Sequence, residues 1–177
     1  MSDLETRGDK AAAAPAPVHP AIQPWQAAGG DLLIGGQSAR ALADRAGRTP
    51  LFAYDRAKIA QRVALLRSVL PAAVQLHYAI KANPMPAVIA ELTGLVDGVD
   101  VASGLELQAA LDAGVDPAHV GFAGPGKTDA ELAQAIAAGI VIELESEGEM
   151  RRAAAIAARL GVRPSVAVRV NPDFRLK

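Results

Sequence analysis

Beyond Thr49 the chain repeats one pattern: a short β-prone run, a turn, a helical stretch and a glycine. The β-prone runs are Leu51–Tyr54, Val74–Ile80, Val96–Val101, Val120–Ala123, Ile140–Leu144 and Val166–Val170. Helical stretches fall between them at Arg56–Leu70, Met85–Thr93, Leu105–Ala113, Ala130–Ala138 and Glu147–Leu160, several closed by Gly94, Gly114, Gly139 and Gly161 as helix stops. Three helix starts carry the same signature, Ser103-Gly-Leu-Glu106, Thr128-Asp-Ala-Glu131 and Ser146-Glu-Gly-Glu149. In each the hydroxyl is placed to accept from the third helical amide, with the glutamate reaching back to the cap amide. Strands that alternate with helices are joined by crossovers, so the pattern predicts a parallel sheet covered by helices. Both a doubly wound sheet and a (β/α)8 barrel satisfy it.

The 177 residues suffice for one domain with a sizeable core. The stretch Met1 to about Gly30 holds the Ala11–Ala14 run, Pro15, Pro17, Pro20 and Pro24, and little to bury beyond Trp25. It reads as a mobile lead-in. A short strand and helix are foreseen at Leu32–Ile34 and Ala39–Ala46, with the lead-in taken as residues 1–47 and the folded part as 48–177. A formal net charge of -1 offers no field for nucleic acid. The absence of cysteine excludes disulfides, thiolate metal sites and thiol nucleophiles, and fits a cytoplasmic setting. No apolar run reaches the roughly 18 residues that a membrane span requires, and no metal site is expected.

In either parallel architecture the chemistry collects at the carboxyl ends of the strands. Those ends carry Lys81-Ala-Asn-Pro, Asp100-Val-Ala-Ser, Gly124-Pro-Gly-Lys127, Glu143-Leu-Glu145-Ser and Arg169-Val-Asn-Pro. Strand alternation puts Lys81, Ala79, His77 and Gln75 on one face. A lysine in such a partly desolvated place gives up its proton more readily than one in water, as condensation with an aldehyde requires. Arg169, set in the apolar run Val166–Val170, needs a partner or water. Glu106 also completes a capping box, Asp100 can cap or turn the chain before Ser103, and His77 reads as an interior histidine outside the site. One competing pattern is literal: Gly121 to Thr128 spells G-x-x-x-x-G-K-[ST], the phosphate-loop signature of a nucleotide triphosphatase. Against it stand the short preceding run Ala118–Val120 and Pro125, which removes an amide from the cradle. Lys127 is then expected as a solvated charge on a strand-end turn.

The ordered motifs Tyr78-Ala-Ile-Lys-Ala-Asn-Pro84, Asp100-Val-Ala-Ser-Gly-Leu-Glu106, Phe122-Ala-Gly-Pro-Gly-Lys127 and Val168-Arg-Val-Asn-Pro172 resemble the alanine-racemase-like, fold-type III pyridoxal-phosphate enzymes. Within them the chain is similar to the diaminopimelate and ornithine decarboxylase family, and its wording around Asn83-Pro-Met-Pro and Gly124-Pro-Gly-Lys is similar to the exosortase-associated subgroup. The resemblance covers about Thr49 to the last residue. It implies a (β/α)8 barrel of which about the first five strands are present, and pyridoxal 5'-phosphate as cofactor. It also implies decarboxylation of a diamino acid through an aldimine on Lys81. Asp100 and Glu106 match acids beside cofactor and lysine, and Arg169 matches the arginine that reaches the cofactor's phenolic oxygen. The family's remaining strands, its ring-stacking histidine, its glycine-rich phosphate site and its C-terminal β-domain have no counterpart in these residues. The chain is therefore read as the N-terminal part of a longer, cytoplasmic, homodimeric enzyme, with no turnover of its own. A non-catalytic pyridoxal-phosphate carrier on a similar barrel is the other alternative.

Overall fold

The computed structural model describes residues 25–170 and 172–173. Of the lead-in expected over residues 1–47, residues 1–24 lie outside the described residues, and the rest carries the strands and helix given next. Two compact units meet between Asp55 and Arg56.

In the first unit β1 (Gln26–Ala28), β2 (Asp31–Ile34) and β3 (Gln37–Ser38) form an antiparallel meander that leads into α1 (Ala39–Ala46). Its two hairpins turn on Gly29-Gly30 and Gly35-Gly36, all four at φ between +57° and +82°. Such two-residue turns require a left-handed backbone at both positions, which glycine adopts without a steric penalty. Ser38 Oγ accepts from Ala41 N at 3.2 Å to start α1. The run Leu51–Tyr54 forms no strand, and Phe52 is 90% exposed. A β-prone run becomes a strand by packing on a pleated neighbour, and among the described residues this one pairs with none.

The second unit is built from α2 (Arg56–Val69), β4 (His77–Ala79), α3 (Pro86–Thr93), β5 (Gly98–Val101), α4 (Gly104–Asp112), β6 (Val120–Phe122), α5 (Asp129–Ala138), β7 (Val141–Leu144), α6 (Glu147–Leu160) and β8 (Ser165–Val168). All neighbouring strands are parallel, in the order β4-β5-β6-β7-β8. A doubly wound sheet reverses its strand order partway across, and this one does not. The order is that of successive strands in a (β/α)8 barrel wall, as the sequence pattern allowed. Gly139 and Gly161 close α5 and α6 in the left-handed region, whereas Gly94 ends α3 at φ −76°.

The core lies on one face of this sheet. Val99, Val101, Val120, Phe122, Ile142 and Leu144 alternate towards the helices and are buried against Leu107 of α4, Leu132 of α5 and Ile156 of α6. The intervening residues face the other way and, apart from Val141, are small or ionisable: His77 and Ala79, Gly98 and Asp100, Gly121, Glu143, Ser165 and Ala167. Gly98 is required there by space, because a Cβ on it would lie 2.5 Å from the His119 carbonyl oxygen and 2.8 Å from the His77 ring.

The three cap signatures resolve into two kinds. At Thr128 the box is complete: Oγ1 accepts from Glu131 N at 3.2 Å, and Glu131 Oε2 accepts from Thr128 N at 2.9 Å. At Ser103 and Ser146 the hydroxyl also caps, but the glutamate passes the cap amide and accepts from the one before it, Ala102 N at 2.7 Å and Glu145 N at 2.8 Å. The expected box is corrected there. Ser103 and Ser146 are fully extended at φ −153° and −158°, which presents the preceding amide, while Thr128 sits at φ −77°.

Glu131 Oε1 also accepts from Gly104 N at 2.8 Å, tying the start of α4 to α5. The amides of Thr128 and Gly104 hold its carboxyl below the ordinary carboxylate range. Its contribution to stability is therefore complete above the ordinary glutamate value of about 4.3 and is lost as the pH falls through the lower folded-state value. Glu131→Gln is expected to flatten the acid limb of stability against pH, measured by chemical denaturation at a series of pH values. Gly98→Ala is expected to cost about 1–3 kcal/mol in the same assay at neutral pH, because the His119 backbone must move.

Candidate active site

Lys81 stands two residues beyond Ala79, in a 3-10 turn, Ile80–Ala82, that takes over from β4. The turn is fastened from three sides. Asn83 N donates to Ile80 O at 3.0 Å, Asn83 Oδ1 accepts from Met85 N at 3.0 Å, and Tyr78 Oη donates to Asn83 O at 3.0 Å. Pro84 keeps Asn83 extended, and Pro86 opens α3 where a missing amide costs nothing. Lys81 itself is exposed, and its side chain makes no hydrogen bond or ion pair among the described residues. The backbone around the amine is fixed, while the amine stands exposed and not in the partly desolvated place that strand alternation predicted.

Asp100 is on the adjoining strand, in register with Ala79. Its Oδ1 lies 3.2 Å from His77 Nδ1, so the histidine set aside as an interior residue is the partner of this candidate acid. Glycine makes room for this carboxylate: a Cβ on Gly121 would come within 3.0 Å of Asp100 Oδ1. Glu106 lies at the start of α4 with Oε2 on the Ala102 amide, two residues past Asp100. Its carboxylate is thus engaged in capping. Arg169 extends the line of β8, its amide donating to Leu144 O at 3.0 Å and its guanidinium, 48% exposed, donating to Glu145 Oε1 at 3.1 Å.

Lys81 follows β4, Asp100 lies in β5 and Arg169 follows β8, all towards the carboxyl end of the sheet, with Glu143 in β7, the strand next to β8, and Glu145 just past it. Sequence reasoning noted those two glutamates as strand-end charges without giving them a role. The signal was their spacing of two within an apolar strand, which puts both opposite Ile142 and Leu144. Glu145 is held below the ordinary carboxylate range by the Gly124 amide at 2.7 Å and, after it, by the Arg169 guanidinium.

Lys127 departs most from expectation. It is not a solvated rim charge but a buried group, its side chain 1% exposed. Its three donors reach Gly124 O at 2.7 Å, Glu143 O at 2.7 Å and Glu149 Oε1 at 3.3 Å, and its Nζ lies 5.4 Å from the centre of the Phe122 ring. An ammonium has three donors, and all three are taken. This overturns the phosphate-loop alternative: that lysine must be free to reach a phosphate, and here it is folded back into the sheet, with Gly121 and Phe122 inside β6. Among the described residues no group of three or more His, Cys, Asp or Glu side chains could hold a metal ion, and no helix is long and apolar enough to cross a membrane.

The fold is a barrel segment whose strands carry these groups towards their carboxyl ends, with the Lys81 amine unpaired among the described residues on a fastened turn. Residues 56–177 match the family of the pyridoxal-dependent decarboxylases, in its pyridoxal binding domain, and the chain belongs to that family. It is 39% identical over 145 residues to the diaminopimelate decarboxylase of Aquifex aeolicus, covering 81% of this chain and 34% of that protein. A crystal structure of an Aquifex aeolicus protein superposes with a TM-score of 0.78 at 37% identity, over 86% of this chain and 38% of the other. The diaminopimelate decarboxylase of Helicobacter pylori, solved in complex with L-lysine, gives a TM-score of 0.68 at 31% identity over 76% and 34%. The chain thus spans about a third of the length of the relatives it matches.

The Lys127 arrangement yields a direct expectation. Lys127→Met leaves the Glu149 carboxylate buried without its cation and is expected to cost about 3–5 kcal/mol. Adding Glu149→Gln should recover part of that loss, as a double-mutant cycle followed by denaturant unfolding would record.

Proposed function

We propose that these residues form the lysine-bearing part of a pyridoxal-phosphate-dependent amino-acid decarboxylase, as the N-terminal portion of a longer protein. The observation that carries the reading is the Lys81 amine, unpaired among the described residues and set on a turn that Tyr78 and Asn83 fasten. The donor set fits the aldehyde and ring-oxygen side of pyridoxal phosphate. An aldehyde calls for an amine, and an anionic phenolic oxygen calls for a cation such as Arg169. Bound pyridoxal phosphate supplies a sink for the electron pair released when carbon dioxide leaves an amino acid.

The side chains of this segment then divide the work. Lys81 Nζ would hold the cofactor's aldehyde and, when free, would be the group that returns a proton at carbon. Asp100, whose orientation is set by His77, keeps a negative charge on the strand beside that amine. Glu106 fixes the start of α4 and would be an acid on the cofactor's side of the sheet. Arg169 would be the cation for the ring oxygen. The phosphate, the ring nitrogen and the substrate's distal end are left to residues beyond this segment, so the 177 residues alone are expected to lack turnover.

A diamino acid is the substrate class that the names of the relatives support, diaminopimelate foremost. The Asn83-Pro-Met-Pro and Gly124-Pro-Gly-Lys wording supports an exosortase-associated member, and the resemblance further supports a cytoplasmic homodimer.

In the full-length protein, borohydride reduction in the presence of pyridoxal phosphate is expected to mark the peptide containing Lys81, and Lys81→Ala should abolish the mark. Equal labelling of the variant would assign the cofactor to another lysine and defeat the proposal. Carbon dioxide release from a panel of diamino acids checks the reaction, and binding without release from any of them would favour a carrier.

A further inference from the structure

Glu145 is the first residue past β7, and its backbone is held from two directions. Its amide donates to Glu149 Oε2 at 2.8 Å, and two residues earlier Glu143 O accepts from Lys127 Nζ at 2.7 Å. Its side chain is held independently: Oε1 accepts from Gly124 N at 2.7 Å. The same oxygen accepts from Arg169 Nη1 at 3.1 Å. The acid is 11% exposed and the arginine 48%, so the carboxylate forms the fixed floor and the guanidinium the part that meets solvent.

We infer that Glu145 is a positioning residue for Arg169, and that the Gly124-Pro-Gly-Lys127 turn is the platform that aims it. This rests on the reading of Arg169 as the group that meets the cofactor's ring oxygen. An ion pair between two mobile surface chains does little, because both must be immobilised to form it. Here one partner is already immobile. Lys127 anchors the turn through Gly124 O, the turn anchors the acid through Gly124 N, and the acid removes rotamer freedom from a long side chain before any ligand arrives. The motif that imitates a phosphate loop in sequence thus has a use of another kind.

The test uses the full-length apoprotein with Glu145→Gln, Arg169→Met and the double variant, after thermal denaturation has shown each to be folded. Pyridoxal phosphate affinity, read by absorbance titration, is expected to fall about tenfold in each single variant and no further in the double, as for residues that act through one contact. Independently of cofactor, the reaction of phenylglyoxal with Arg169, followed on its peptide by mass spectrometry, should be several-fold faster in Glu145→Gln than in wild type. If Glu145→Gln does not fold, Glu145→Asp, one methylene shorter with its charge kept, should show the same faster reaction. Additive affinity losses, or an Arg169 reaction rate unchanged by either Glu145 substitution, would overturn the inference. A wild-type protein that binds no pyridoxal phosphate would instead sink the cofactor reading, and the phenylglyoxal rate would still decide what Glu145 does.

Discussion

A charged ammonium closed off from solvent is stable only where each of its protons has an acceptor, and Lys127 meets that demand by drawing three separate pieces of chain to one point. It binds the turn after β6 through Gly124 O, the strand β7 through Glu143 O and the helix α6 through Glu149. Glu149 in turn receives the amide of Glu145. Strand, turn and helix are thereby locked to one another at the carboxyl end of the sheet, where a parallel barrel has its weakest natural order because only loops are present. Glu145, and through it Arg169, take their positions from this lock.

Much of the fold was legible in the sequence. The alternation of β-prone runs with glycine-closed helices gave the parallel sheet and the element bounds to within a few residues, because short crossovers leave few other solutions. Periodicity could not separate an open sheet from a barrel, since each residue records its own face and not its strand's neighbour. The order β4-β5-β6-β7-β8 supplied that information. Leu51–Tyr54 misled for a related reason: strand propensity describes a fit to a partner that sequence does not name.

The strand-end placement of the candidate residues was legible, and their pairings less so. Lys81, Asp100 and Arg169 stand at the strand ends where they were expected. Lys127 was misjudged because a lysine on a glycine-proline turn ordinarily points to water, and nothing local reveals that Glu149, a helix start away, lies under it. The capping glutamates show the same limit. Their spacing gives the reach of the side chain, but whether they take the cap amide or the one before it depends on the φ of a single serine.

The one-by-one alternation along these strands also sets what kinds of change the sheet can absorb. Asp100 lies between Val99 and Val101, and Glu143 between Ile142 and Leu144, so the outward valines and isoleucines and the inward acids are separate alphabets written on the same line. A letter can be exchanged in one alphabet without disturbing the other, which leaves the face away from the helices open to revision while the packing behind it stays as it was. Insertion is another matter. One extra residue in β5 would carry Asp100 into the oily layer and turn a valine towards the lysine, so drift in length is confined to the loops, and the strands can diverge only by replacement.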